Sequence, residues 1–306
     1  MTTTTQQEPQ TEKSFTRKDL YQEVTDTIVA QLEKGVVPWQ KPWQSDKEDY
    51  SFCIPKNISS GHDYRGINIV LLWAAAQKKE FKSNEWATYK QWKFQDEAIR
   101  KDEKGSLIVY YDTFEKEVEG EVKKIPFLKH SIVFNKEQLV SFNPTDKQKV
   151  GVRKPLIDRI DSVEDFVFKT GVSLDHNGER ACYNRLTDKI SMPDQGLFID
   201  TENCSATEGY YSTLLHELTH WTGHPNRINR NLGKKFGDKD YAVEELVAEL
   251  GAAFMCTEFD IARPQHENHA AYIGSWLKTM KENKHAIFAA AGEASKASEY
   301  LHKLQF

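Results

Sequence analysis

The first half of the chain combines a helical pattern with strand patterns. Apolar side chains recur at intervals of four residues from Leu20 to Leu32, which predicts an amphipathic helix within residues 15–35. Further along, residues 106–114 and 126–135 are rich in β-branched and aromatic side chains. They predict two paired strands joined by the charged, loop-like segment between them.

The second half begins with a helix and a hairpin and ends on helices. Its predicted elements are a helix at 155–171, strands at 181–183 and 188–192, a helix ending near Trp221, an acidic helix at 241–250, and helices at 266–282 and 284–304. The two halves together predict an α+β protein of two domains.

Two polar segments set the expected domain boundaries. Residues 1–14 are rich in Thr and Gln without an apolar core, which predicts a disordered tail and argues against a signal peptide. Residues 141–154 are polar and show little periodicity, so we expect a linker there. The predicted domains are therefore residues 15–140 and 155–306.

Composition narrows the function classes. The chain has 306 residues and a net charge of −5, and no apolar run is long enough to span a membrane. Its four cysteines are isolated in sequence, which argues against a disulfide framework and fits the reducing cytoplasm. Because the net charge is negative, any nucleic-acid binding must come from a local basic patch.

The pentapeptide His216-Glu217-Leu218-Thr219-His220 carries the strongest chemical signal. Two histidines four residues apart lie on one side of a helix, and the glutamate between them can reach a water held by their metal. This is the H-E-x-x-H arrangement of zinc metalloproteases. The alternative is a surface helix that happens to carry two histidines.

The surroundings of the pentapeptide predict a partly buried helix. Apolar residues from Tyr211 to Trp221 recur at spacings of three and four. Ser205 and Glu208 form a capping-box pattern at its start, and Gly223 marks its end. A buried pair of histidines without a partner would be costly, which favours a bound metal.

A catalytic zinc needs a third protein ligand. The extended motif with a third histidine is excluded, because Asn226 stands at that position. The acidic helix offers Glu245 and Glu249 on one face, and we expect Glu245 to bind the metal while Glu249 orients a ligand histidine. Glu244 points about 100° away around the helix axis. The alternative is an ordinary acidic helix face.

The predicted chemistry is metal-assisted hydrolysis of the gluzincin type. His216, His220 and Glu245 would hold Zn²⁺, with another divalent metal as the alternative, and Glu217 would act as general base and acid. A donor for the oxyanion is also needed. The candidates, which the sequence does not rank, are Tyr183, Tyr211, His224 and Tyr241.

A basic and aromatic segment lies in the first half. Residues 56–101 carry nine basic and five acidic side chains, with aromatic residues interleaved. Single-stranded nucleic acid is bound by stacking on aromatic rings and by cations along the phosphates. The stacking candidates are Trp39, Trp43 and Trp86, and the phosphate candidates are Arg65 and Lys90. The alternative is a set of core aromatics beneath a solvated basic face.

Two groups of segments resemble known families. Residues 216–224 and 241–250 resemble the zincin-like metallopeptidase domain of mobile-element proteins. Residues 32–39, 64–68 and 86–91 are similar to the N-terminal domain of ArdC-type antirestriction proteins, which also resembles a domain of plasmid TraC-type primases.

The resemblance implies a protein of conjugative plasmids or phages. It implies an N-terminal domain that binds single-stranded DNA, with Asn68 of the second matching segment among the contacts, and protection of incoming DNA from host restriction. It leaves open whether the C-terminal domain cleaves a protein, such as a restriction component. The alternative function is a non-catalytic protein that shields DNA and whose metal site is structural.

Overall fold

The fold is that of a computed structural model, which describes residues 19–40, 53–118, 121–143, 155–176, 180–233, 239–264 and 269–306. The tail predicted at residues 1–14 and most of the predicted linker lie outside these ranges. None of the described helices is long and apolar enough to cross a membrane.

Helices and two small sheets build the described chain, which confirms the α+β class. The helices are α1 (Leu20–Leu32), α2 (Ile67–Lys79), α3 (Tyr89–Phe94), α4 (Leu156–Thr170), α5 (Ala206–Thr222), α6 (Lys239–Glu258), α7 (His269–Glu282) and α8 (Ala286–Lys303). The strands are β1 (Lys56–Asn57), β2 (Glu85–Thr88), β3 (Ser106–Val118), β4 (Glu121–Asn135), β5 (Ser173–Asp175), β6 (Cys182–Asn184) and β7 (Lys189–Ser191).

The first sheet has the order β1-β2-β4-β3, and its long antiparallel pair differs from the sequence prediction. We expected a loop at residues 115–124, but the ladder continues through Glu115 opposite Lys124 to Val118 opposite Glu121. Strand pairing is made by backbone groups, so a charged segment can extend a hairpin without an apolar pattern.

The second sheet has the order β5-β7-β6. The predicted hairpin is confirmed, since β6 and β7 pair antiparallel with Tyr183 opposite Ile190. β5 pairs parallel with β7 and was not predicted, because three residues are too few to show a period. In this order β6 is an edge strand.

The helix that carries the histidine pentapeptide begins and ends as expected. The Ser205 hydroxyl accepts the Glu208 N–H and donates to the Glu208 carboxylate, which forms the predicted capping pair. Gly223 follows the last residue of α5. A Cβ at Gly223 would lie 2.4 Å from Cδ2 of Leu232, so a larger residue there requires the leucine side chain to move.

One hydrophobic core is shared by both halves of the chain. It joins α1 and α2 to α6, α7 and α8, and it includes the ring pairs Trp39–Trp276 and Trp73–Phe254 with centroids 5.6 and 5.7 Å apart. A second core joins α4, α5 and β7 to the ends of α6 and α8. Helix α6 contributes to both cores, so the two halves pack around it.

Trp39 belongs to this shared core, so its loss should destabilise the whole protein. We expect Trp39→Ala to lower the free energy of unfolding by about 3–5 kcal/mol, because a buried indole and its contact with Trp276 are removed. Denaturant unfolding of the full chain measures this. Phe168→Ala is the control, because Phe168 is 84% exposed and should cost less than about 0.5 kcal/mol. Equal losses in the two variants would contradict the assignment of Trp39 to the core.

Candidate functional site

Three side chains from two helices converge beside the second core. His216 and His220 lie one turn apart near the end of α5, and Glu245 reaches them from α6. Nε2 of His216 lies 3.6 Å from Oε2 of Glu245, and Nε2 of His220 lies 3.5 Å from Oε1. The structure thus brings together the three ligands that the sequence predicted.

These separations fit a small cation. Atoms that each lie about 2.0–2.2 Å from a tetrahedral ion are about 3.4 Å from one another. The three potential ligand atoms all lie within 4.8 Å of one another, and both histidines direct Nε2 to the same carboxylate. Two imidazoles and one carboxylate are also a known donor set of catalytic zinc. That these residues bind a metal stays a proposal.

Close contact between the two helices makes this geometry attainable. Gly251 of α6 lies against Thr219 of α5, and a Cβ at this glycine would be 2.5 Å from Cγ2 of the threonine. Any larger residue would push α6 away from α5. The absence of a side chain at Gly251 therefore lets Glu245 reach the histidines.

His220 is oriented by a residue that the sequence reasoning did not assign. Its Nδ1 lies 3.0 Å from Oε1 of Glu244, on the side of the ring opposite the ligand nitrogen. Glu244 is rotated by about 100° around the helix axis relative to Glu245. Its carboxylate therefore lies at Nδ1 of His220 and not at the predicted metal position. The consecutive acidic pair Glu244 and Glu245 was the available signal.

Arg230 holds Glu244 in place from the loop after α5. Its Nε and Nη2 donate to the two carboxylate oxygens at 3.0 and 2.7 Å. Its Nη1 and Nη2 also donate to the Thr222 hydroxyl and the Thr219 carbonyl at 2.7 and 2.6 Å. Arg230 lies in an irregular loop, where no repeating pattern of residues indicates a contact. Its contact with Glu244 therefore could not be predicted from the sequence.

Glu249 faces the other histidine, as expected, but more loosely. Its Oε1 lies 3.8 Å from Nδ1 of His216, which is too far for a direct hydrogen bond. Its other oxygen accepts a hydrogen bond from Arg263. The orienting role predicted for Glu249 stays a prediction.

The charges around the histidines favour a cation. Burial opposes the charged form of His216, but Glu245, Glu249 and Glu217 raise its pKa to about 9. Burial likewise opposes ionisation of Glu245, and hydrogen bonding and charge from the two histidines hold its pKa at about 2. The pair is surrounded by the four carboxylates Glu217, Glu244, Glu245 and Glu249 and by the two guanidinium groups of Arg230 and Arg263. With both histidines neutral, these described groups carry two uncompensated negative charges. A divalent cation would balance them.

Glu217 lies at the site without being tied to another group. It is 8% exposed and forms no hydrogen bond or ion pair within the described residues. Its charge raises the pKa of the Cys182 thiol on the edge strand β6, after the larger effect of burial. A buried carboxylate held by no partner costs stability, which is typical of a group kept for chemistry.

The structure ranks the oxyanion donors that the sequence left open. Two of them are engaged elsewhere, because Tyr183 donates to Asp188 and Tyr211 donates to Glu164. Nδ1 of His224 accepts the Asn226 N–H, which leaves its Nε2 as a donor. Tyr241 remains at the site, where its hydroxyl bonds to Glu245.

Tyr272 of α7 is an additional candidate donor, which the sequence analysis did not identify. Burial and the carboxylates Glu245, Glu249 and Glu217 raise its pKa. The hydroxyl therefore stays protonated and can donate. Its sequence position, far from the pentapeptide and from the acidic helix, gave no signal.

The tryptophans expected to stack on bases are corrected by their burial. Trp39 and Trp86 are each 1% exposed. Trp39 packs edge-to-face on Trp276, and Trp86 packs with Leu72 and Val133. A buried ring has no free face for a base, so these two residues stabilise the fold. Trp43 lies outside the described residues.

The polar candidates divide into one structural residue and two exposed cations. Asn68 is not free for DNA, because its side chain donates to the Val109 carbonyl at 2.7 Å and accepts the Val109 N–H at 2.8 Å. Arg65 is exposed but pairs with Glu299 at 2.9 Å. Lys90 is exposed and has no ion pair within the described residues.

Two family descriptions match the chain. The zincin-like metallopeptidase family matches residues 161–293, and the family of the N-terminal domain of anti-restriction factor ArdC matches residues 18–134. The protein y4eC of Sinorhizobium fredii is 32% identical over 99% of this chain and 96% of its own length. The DNA primase TraC of Escherichia coli is 33% identical over 93% of this chain, which spans 27% of that primase.

Solved structures of the ArdC antirestriction protein from the R388 plasmid have the same architecture. The metal-free structure shares 40% identity with a TM-score of 0.76, and the Mn(II)-bound structure shares 37% identity with a TM-score of 0.73. Each likeness covers 94% of this chain and 98% of the other. The two-part architecture with a zincin-like C-terminal domain is thereby confirmed.

Metal binding should depend on the three converging side chains and, less strongly, on Glu244. We expect His216→Ala, His220→Ala and Glu245→Ala to abolish binding of about one divalent ion per chain. Glu244→Gln should weaken affinity by about 10- to 100-fold, because the outer nitrogen of His220 loses its carboxylate. Titration against a chromophoric chelator measures both effects.

Glu258→Gln is a suitable control for Glu244→Gln. Glu258 also lies on α6 and also bonds to a histidine, but that histidine, His302, is half-buried on α8 and is not one of the three converging residues. Its affinity for metal should equal that of the wild type. Undiminished metal content in the variants of both motif histidines would refute the site.

Proposed function

The chain belongs to the ArdC antirestriction family, and we propose that it protects incoming plasmid DNA from restriction. In this proposal the N-terminal half binds single-stranded DNA. The C-terminal half is a metal-dependent peptidase that acts on a protein, such as a component of the restriction system. The observation that carries the enzymatic part is the convergence of His216, His220 and Glu245 beside an unpaired Glu217.

The metal in this proposal is Zn²⁺, with another divalent ion as the alternative. His216, His220 and Glu245 would hold it, and their two nitrogens and one carboxylate suit zinc. When bound, the ion supplies Lewis-acid activation of water and of the substrate carbonyl. The Mn(II) in the solved ArdC structure supports a divalent ion in this family.

The remaining chemistry is assigned to side chains of this chain. The Glu217 carboxylate accepts a proton from the attacking water and returns it to the leaving amine. The Tyr241 or Tyr272 hydroxyl donates a hydrogen bond to the developing oxyanion. The edge strand β6 offers backbone groups for an extended peptide. Its Cys182 lies near Glu217, whose charge raises the pKa of the thiol.

Several observations support a DNA-binding N-terminal half in the cytoplasm. Residues 56–101 have a local excess of four positive charges in a chain of negative net charge. A DNA primase contains a segment similar to most of this chain. All four cysteines are free thiols, which fits a reducing compartment.

One observation favours the second candidate function, a DNA-shielding protein with a structural metal. Leu246, Leu250 and Phe254 of α6 pack in the core shared with the N-terminal helices, on the same helix that carries Glu245. A bound metal would therefore stabilise the DNA-binding half without any catalysis. A structural site has no need of Glu217, so this residue separates the two functions.

Glu217→Gln should preserve metal binding and abolish the enzymatic contribution. An amide cannot act as the base, so hydrolysis should fall by about 10²- to 10⁴-fold. The measurement is survival of unmodified plasmid DNA transferred into a restricting host, with metal content determined in parallel.

The matched control is Glu258→Gln, which removes a carboxylate from the far end of α6. It should protect transferred DNA as well as the wild type does. Full protection by Glu217→Gln, with one metal per chain, would exclude the peptidase and leave the shielding function.

The full chain should bind single-stranded DNA with little sequence preference. Affinity should fall as salt rises, because each neutralised phosphate releases counterions. A duplex of the same length should bind more weakly, since stacking needs exposed base faces. Fluorescence anisotropy with a labelled oligothymidylate and its duplex measures this. Absence of salt-sensitive binding would refute the DNA part of the proposal.

A further inference from the structure

The short helix α3 presents aromatic rings and lysines to solvent together. Phe94 is 88% exposed and Tyr89 is 55% exposed, and Lys90 and Lys93 beside them are also exposed. Large apolar side chains on a surface are common singly, but here they alternate with cations within six residues. This arrangement needs an explanation beyond stability.

The orientation of α3 is fixed by one buried tryptophan. Trp92 is buried, and its indole N–H donates to the Phe134 carbonyl at 3.0 Å. At 100° per residue, Lys90 and Phe94 lie on the side of the helix opposite Trp92. The capping box of Thr88 and Gln91 fixes the start of the helix. The buried tryptophan and the capping box together fix which side of α3 faces the solvent.

The lysines of α3 differ from Lys79 and Lys136, two cations of this half that are engaged with other groups. Lys79 donates to the Lys104 carbonyl, and Lys136 pairs with Glu85 at 2.6 Å. Lys90 and Lys93 form no ion pair or hydrogen bond within the described residues. Their charges are available to an anionic partner.

A loop of hydrogen-bond donors lies beside this face. The Asn57 side chain accepts the N–H groups of Ser59 and Ser60, both at 3.0 Å, and donates to Oε1 of Gln91 on α3 at 3.3 Å. These bonds hold residues 58–62 next to the helix, with Ser59, Ser60 and His62 exposed. Hydroxyl and imidazole groups of this kind commonly contact phosphate oxygens.

We propose that this α3 surface, formed by Tyr89, Lys90, Lys93, Phe94 and the loop 58–62, is the contact surface for single-stranded nucleic acid. The proposal rests on the DNA-binding function proposed above and assigns its location. Bases stack on Phe94 and Tyr89, while Lys90 and Lys93 neutralise phosphates. Asp63, Asp96 and Glu97 border the surface and limit its extent.

The charge of the surface argues against a second copy of the chain as its occupant. Two copies meeting through α3 would bring Lys90 and Lys93 of each against the same lysines of the other. Such like-charge contact is unfavourable. A polyanion with unstacked bases satisfies both the rings and the cations.

The test uses the full chain and a labelled oligothymidylate in fluorescence anisotropy over a series of salt concentrations. Phe94→Ala should weaken binding about tenfold or more, and Phe94→Trp should retain it, because stacking requires only a ring. The double variant Lys90→Ala and Lys93→Ala should reduce the slope of log affinity against log salt by about 1.4, at about 0.7 per phosphate. Melting temperatures should stay unchanged, since these side chains are exposed.

Matched controls exist on the C-terminal half. Phe168→Ala removes a phenylalanine of similar exposure from α4, and Lys278→Ala removes an exposed lysine from α7. Both should bind like the wild type.

If the wild type binds and the α3 variants bind equally well, the α3 surface is refuted while DNA binding stands. If Phe94→Ala instead dissolves an oligomer seen by light scattering, the surface is a self-association interface and the proposal fails. If the wild type does not bind at all, the proposed DNA-binding function itself fails.

Discussion

The acidic face of α6 is the constraint on which the rest of the structure depends. Glu244 and Glu245 are buried, and a buried carboxylate is tolerated only when it is paired and hydrogen-bonded. Glu245 meets both motif histidines, Glu244 meets His220 and Arg230, and Glu249 meets Arg263. These partners come from α5, from the loop after α5 and from the segment after α6. Satisfying the acidic face therefore fixes α5, the loop after it and the segment after α6 relative to α6.

The opposite face of α6 imposes a second requirement. Leu246, Leu250 and Phe254 are apolar and pack in a core with α1 and α2, which precede them by about two hundred residues in a chain of 306. Thr25 donates to the Lys284 carbonyl at 2.7 Å, and the Gly66 N–H donates to the Ser295 hydroxyl at 2.8 Å. The family matches at residues 18–134 and 161–293 thus describe two sequence units whose apolar faces meet in one core. The boundaries predicted at residues 140 and 155 stay a proposal about sequence units, and the shared core makes independent folding of either unit costly.

Local patterns accounted for what the sequence predicted correctly. Features that depend on residues a few positions apart can be predicted from sequence alone. They are the Ser205–Glu208 pair, the spacing of His216 and His220, and the hairpin of β6 and β7. Arg230 and Tyr272 could not be predicted, because their parts in the site depend on a loop path and on helix packing. The prediction that Trp39 and Trp86 stack on bases was wrong for a related reason. Trp39 and Phe94 are both aromatic residues of the N-terminal half, and only tertiary packing decides that the first is buried and the second exposed.

This packing also couples the proposed nucleic-acid site and the proposed metal site energetically. Trp73 of α2 contacts Phe254 of α6, nine residues beyond the predicted ligand Glu245, and α2 packs in turn on the sheet that supports α3. A ligand that binds only the folded chain stabilises every element that unfolds with its site. Since α6 contributes to both cores, an ion held by α5 and α6 stabilises the N-terminal helices as well as the peptidase-like half. Loss of metal is therefore expected to weaken nucleic-acid binding through stability even if the two sites share no residue, and only measurements far below the melting temperature separate this effect from direct participation of the metal centre.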